Sequence, residues 1–100
     1  MPNRIHGDIS INSTSTGPGS PISGLCTKAS FSLTGGTCSV SLEGSLDATN
    51  WTTIIVASTY AGTGVLIKSS TTNFLVSNVR ARLTAHSAGA AAKVYVLGYA

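Results

Sequence analysis

The sequence predicts an all-β protein, an antiparallel β-sandwich of jelly-roll-like type with an extended N-terminal arm. Three observations carry that reading. Apolar and polar residues alternate with the period of a half-buried strand, most clearly over Val40-Ser-Leu-Glu-Gly-Ser-Leu46. Turn chemistry recurs between the alternating runs, at Gly35-Gly36, Asp47-Ala-Thr-Asn50 and Ala61-Gly-Thr-Gly64. No window reads as a helix, since the alanine-rich stretch from Ala85 to Ala92 is short and carries Ser87 and Gly89.

Taken in order, Arg4 to Asn12 alternates as a short strand, with Ile5, Gly7, Ile9 and Ile11 in one phase. Ser13 to Gly24 is rich in Pro, Gly and Ser and reads as a loop or linker. Residues 1–24 are therefore expected to form an arm and tether, either disordered or adding its strand to a neighbour's sheet edge through Ile5, Ile9 and Ile11. Residues 25–100 form the sandwich domain. Leu25, Thr27, Ala29, Phe31 and Leu33 line one strand face, and Gly35-Gly36 predicts a two-residue hairpin. That register sets Leu33 opposite Cys38, Phe31 opposite Val40 and Ala29 opposite Leu42. Further strands are expected at Trp51–Ser58, Val65–Lys68, Phe74–Ala85 and Lys93–Tyr99, with a bulge or bend near Ser77-Asn78.

Composition narrows the function. The chain has 100 residues, enough for one domain and one modest core. Only 9% of it is charged, while Ser and Thr exceed a quarter. So little charge suits a surface covered by a partner or by copies of itself, and a homotrimer is expected. The apolar C-terminal strand ending Leu97-Gly-Tyr-Ala100, and Tyr60, Tyr95 and Tyr99, are candidate subunit contacts. The formal charge of +3 is not gathered into a basic stripe, so nucleic acid is not an expected partner. No apolar run is long enough for a membrane helix and no apolar signal core follows Met1, so synthesis in the cytoplasm is expected.

No residue set supports catalysis, a metal or a cofactor. His6 and His86 are far apart, and Cys26 and Cys38 do not have zinc-site spacing. In the hairpin register the two cysteines lie seven residues apart along the ladder, roughly 23 Å, beyond the ~7 Å limit for a disulfide. Of the three carboxylates, Glu43 reads as solvent-facing and Asp47 as a turn cap. Trp51 beside Asp47 and Asn50 reads as a core anchor or, alternatively, as a sugar platform. Arg80 and Arg82 project from one strand face about 7 Å apart, to meet a partner's carboxylates or solvent.

Ser39 to Ile54, together with Asn78-Val-Arg-Ala-Arg-Leu-Thr-Ala85 and Lys93-Val-Tyr-Val-Leu-Gly-Tyr99, resembles small bacteriophage virion proteins. In those, a Gly-Ser-Leu-Asp-x-x-Asn-Trp hairpin precedes a Val-Arg-x-x-Leu-Thr strand and a short C-terminal strand. The resemblance covers residues 25–100. It implies a capsid decoration (cement) protein bound to the major capsid protein on the virion surface, or a head- or tail-fibre module. Similar Ser-x-Asp-x-x-Asn-Trp turns occur in discoidin-like carbohydrate-binding sandwiches, which implies sugar binding as the alternative. Ala48 stands where glycine is common, a departure that matters if the position needs positive φ.

Overall fold

Alternation sends every second side chain of each strand to one side, and two sheets bury those sides against each other. In the computed structural model, residues 5–61, 65–71 and 73–99 are described. They contain β1 (Ile5–Ser13), β2 (Gly17–Pro18), β3 (Ile22–Cys26), β4 (Lys28–Thr34), β5 (Thr37–Ser45), β6 (Thr52–Ala61), β7 (Leu66–Ser69), β8 (Val76–Ala88) and β9 (Ala92–Tyr99). Sheet I has the order β1-β9-β4-β7. Sheet II has the order β2-β8-β5-β6, with β3 also on β8. All pairings are antiparallel. Ala29, Phe31, Leu33, Val94 and Val96 from sheet I meet Cys38, Val40, Leu42, Val79, Ala81 and Leu83 from sheet II in one core. Each large side chain there contributes roughly 1.5–3 kcal/mol of transfer free energy.

The Gly35-Gly36 hairpin is corrected. β4 pairs with β7 and β9, whereas β5 pairs with β6 and β8. Phe31 and Val40 face each other across the core instead of lying side by side in one ladder. The two glycines, at φ 80° and 66°, carry the chain from one sheet to the other. Beside them the β8–β9 turn makes the reverse crossing. A Cβ on Gly36 would stand 2.7 Å from the Ala90 carbonyl oxygen, and one on Gly89 2.9 Å from Gly36 Cα. Glycine is needed because two sheet-crossing turns pack together, which alternation alone does not reveal.

The expected arm is also different. β1 pairs with β9 of the same chain, so the segment completes its own sheet edge. Its register slips between Ile9 and Ile11, leaving Ser10 as the extra residue of a bulge. The slip breaks the common phase: Ile11 joins the core while Ile9 points outward at 40% exposure. Buried Ser10 accepts from the Ala81 amide (3.0 Å) and donates to the Ser20 carbonyl (2.9 Å). The Ser20 amide returns to the Ser10 carbonyl (2.7 Å) and the Gly19 amide reaches Ala81 O (2.8 Å). The 13–24 stretch is thus held against sheet II, where Gly17–Pro18 and Ile22–Cys26 pair with β8.

The run from Leu25 to Leu33 divides at Thr27, between β3 in sheet II and β4 in sheet I. Leu25 is exposed and its neighbour Cys26 buried, the reverse of the expected phase. In β8 the phase changes at Ser77-Asn78 as expected: Val76 and Val79 are both buried and the register against β3 slips there, while further bulges at Thr84 and Ser87 appear as slips against β5. The loop residues 62–64 lie outside the described residues, as does the side chain of Ile5.

Both cysteines are free and buried, and burial raises both thiol pKa values. The geometry differs from the hairpin argument. Cys26 pairs with Val76 and Cys38 with His86 on the same strand. Ten residues of β8 separate those positions, roughly 33 Å.

Candidate functional site

The predicted site residues divide between the two outer faces and one turn. On the outer face of sheet II, Glu43 of β5 lies opposite Arg80 of β8, and Ser41 opposite Arg82. Arg80 Nε donates to Glu43 Oε1 at 2.8 Å and Arg82 Nε to Glu43 Oε2 at 3.3 Å. The Arg80 guanidinium also stacks over the Trp51 ring, 3.9 Å from its centroid. Arg80 and Glu43 side chains are only 15% and 13% exposed, while Arg82 reaches 38%. The two arginines therefore share a face, as their spacing predicted, but meet a carboxylate of their own chain. Glu43 is not the solvent-facing residue expected. The sequence shows Glu43 as the one charged residue of β5, but that two arginines lie beside it is set by the β5–β8 pairing.

The β5–β6 hairpin forms as its sequence predicted, with β5 and β6 antiparallel. Asp47 organises its turn. Asp47 Oδ1 accepts from the Asn50 amide (2.7 Å), the Thr49 amide (2.9 Å) and Ser45 Oγ (2.9 Å). Asp47 Oδ2 accepts from Asn50 Nδ2 (2.7 Å). These bonds, led by the two backbone amides, hold the Asp47 carboxyl well below the usual carboxylate range. Ala48 sits at φ 61°, so the position that sequence comparison flagged does require the left-handed region.

Trp51 is corrected from a core anchor. It is half-buried, outside the core cluster, and covered by Arg80 on the outer surface. A hollow of about 310 Å³ near the turn is lined by Leu46, Asp47, Asn50, Thr52, Leu75 and Val76. Sugar hydroxyls there would find the Asp47 carboxylate already engaged by four internal donors.

Sheet I presents a different outer face. Cross-strand registers place Ile9, Tyr95, Ser32 and Ile67 in one row, and Gly7, Leu97, Ser30 and Ser69 in the next. Ile67 is 68% and Tyr95 43% exposed. A hollow of about 170 Å³ opens over Ser30 and Ser32 between Ile67, Tyr95 and Leu97. Tyr95 leans over Gly7, where a Cβ would stand 2.5 Å from its hydroxyl oxygen. Sequence reasoning singled out Ile9 and Tyr95 separately but missed the row, because cross-strand neighbours depend on pairing.

Among the described residues, no group of three His, Cys, Asp or Glu is placed to hold a metal ion. Among the same residues no helix is long and apolar enough to cross a membrane. No protein-family model matches the chain, and no curated protein matches it.

Proposed function

We propose that this chain is a non-enzymatic structural protein of a bacteriophage virion, decorating the capsid surface and bridging neighbouring shell subunits as a homotrimer. It would be made in the host cytoplasm and carried on the particle. The observation that carries the reading is the sheet I outer face, apolar, uncharged at its centre and left without a partner inside the described chain. The strand order supports a jelly roll. Counted as one interrupted strand, β2 and β3 reduce the set to eight, and the chain then changes sheet at every connection except the β5–β6 hairpin, in the manner of two Greek keys. That architecture occurs in viral capsid proteins and also in lectins, so it supports the reading only by analogy. The sequence resemblance to small virion proteins points the same way.

The test is co-sedimentation with empty phage shells assembled without this chain. Saturable binding at a fixed ratio to shell subunits is expected, with a trimer mass by light scattering. A protein that stays in the supernatant across a micromolar range removes the decoration reading. Trp51 fluorescence that responds saturably to a sugar would favour the carbohydrate-binding alternative.

A further inference from the structure

We propose that the outer face of sheet I docks a protein surface that is apolar at its centre and acidic at its rim, and not a second copy of this chain. The proposal takes from the reading above only the identity of the partner, the shell protein.

The centre of the face is the two rows just described. Ile9, Tyr95, Leu97 and Ile67 supply the apolar relief, and serines and Gly7 the low ground. No charged residue lies within those rows. Both ends are basic. Lys28 pairs with Tyr99 beyond one end, and Lys93 lies between Asn12 and Thr34 beyond the other. Both lysines are exposed.

Charge decides the occupant. The chain has three Asp and Glu side chains in all. Glu43 is held by Arg80 and Arg82, and Asp47 by its own turn. Only Asp8 is left, on the opposite side of β1 from Gly7 and Ile9, accepting from the Ile9 amide at 2.7 Å. Two copies packed through sheet I would bring lysines to both rims with no Asp or Glu side chain among the described residues of the face to meet them. A partner carrying Asp or Glu around an apolar ridge meets both features at once. Four strands at ~4.8 Å spacing and seven or so residues at ~3.3 Å rise give a footprint on the order of 400–500 Å². Counted over both partners that is about 800–1,000 Å², in the range of weak or transient contacts. Retention would therefore be salt-sensitive and would gain from several copies binding together.

Two probes separate this proposal from the decoration reading. The first is anilinonaphthalene sulfonate, whose apolar rings match the hollow and whose single anionic group suits the lysines at the ends of the face. The native protein should bind it saturably. Ile67→Glu should weaken that binding at least tenfold, and Lys28→Ala with Lys93→Ala should weaken it severalfold and flatten its salt dependence. Unchanged Trp51 fluorescence shows that each variant is folded. No dye binding by the native protein, or equal binding by Ile67→Glu, overturns the proposal. The second probe is empty phage shells. Loss of shell binding in Ile67→Glu supports the proposal. Shell binding unchanged in that variant overturns it and leaves the decoration reading standing. Dye binding with no shell binding by the native chain supports the surface chemistry and removes the decoration reading. A dimer in light scattering that Ile67→Glu abolishes assigns the face to a second copy and overturns the proposal.

Discussion

The two outer faces of this sandwich are built by the same alternation and end in opposite conditions. On sheet II most polar outward residues satisfy one another, although Val56 on β6 and Leu25 on β3 stay exposed. Glu43 gathers two arginines, Arg80 covers Trp51, and Ser39 Oγ meets Thr59 Oγ1 at 2.9 Å. On sheet I, Ser30 and Ser69 hydroxyls meet at 2.8 Å, but Ile67, Tyr95 and Ile9 stand in solvent. A polar outer face whose groups are paired internally contributes to stability and offers a partner little. An apolar outer face contributes little to the fold and gains only when covered. The contrast places internally paired groups on one side of the molecule and, under the proposal above, recognition on the other.

The strongest way to break that contrast is to remove its centre. Glu43→Ala leaves two guanidinium groups beside each other without their acceptor. Loss of one partner from a covered ion pair costs several kcal/mol when fully buried, and much less when exposed. Arg80 is mostly covered and Arg82 is not, so a loss of about 2 kcal/mol is expected. Urea denaturation measures it, and a double-mutant cycle with Arg80→Ala isolates the pair. Trp51 emission should shift to the red as Arg80 moves off the ring. A change below about 0.5 kcal/mol would place this face with ordinary exposed surface pairs.

Much of this fold was legible because alternation states which side a residue takes. Phe31, Leu33, Val40, Leu42, Val94 and Val96 all face the core. The β5–β6 hairpin was legible because its turn is closed by Asp47 and Asn50 locally. Strand partnership was not legible. Ala29, Phe31 and Leu33 match Leu42, Val40 and Cys38 equally well as ladder neighbours or as opposing layers, and only the whole topology selects the second. The Ser10 bulge was hidden for a related reason. One extra residue reverses the phase of Ile9 against Ile11, and the partner that meets its buried hydroxyl, the Ala81 amide, lies far along the chain. The sheet I docking rows depend on both kinds of information, so neither composition nor spacing could assemble them.

Acid sharpens the comparison through the Asp47 turn at the end of sheet II. Its folded-state pKa is depressed, chiefly by the Asn50 and Thr49 amides. The stabilisation is therefore complete above the ordinary carboxylate range near ~3.9 and is lost as pH falls from there toward the lowered value. Asp47→Asn should be less stable than the native chain at pH 6, with the gap closing between about pH 4 and pH 2. Urea midpoints across that range measure it. A gap that does not vary with pH would mean that the turn's bonds do not depend on the carboxylate charge. The neighbouring Ala48→Gly should act in the other direction. An alanine at φ 61° carries left-handed strain that glycine lacks. Greater freedom of glycine in the unfolded chain offsets part of the gain, leaving about 0.5–1 kcal/mol of added stability. A destabilised variant would show that Ala48 is not strained in solution.

The smallest effect on stability is expected where the effect on binding is expected to be large. Ile67 lies on the edge strand β7 and is 68% exposed, so replacing it removes little buried surface. Threonine retains the β-branched shape that suits a strand, which separates loss of apolar contact from loss of strand propensity. Ile67→Thr should therefore change stability by less than about 0.5 kcal/mol. If Ile67 were instead part of the packed core, even this conservative change would cost more than about 1 kcal/mol, because a buried hydroxyl without a partner adds its own penalty. Such a cost would erase the distinction between the faces, since sheet I would then be stabilising itself with the residues assigned here to a partner. A neutral result in urea, together with weakened dye or shell binding, would place the function of Ile67 outside its own fold.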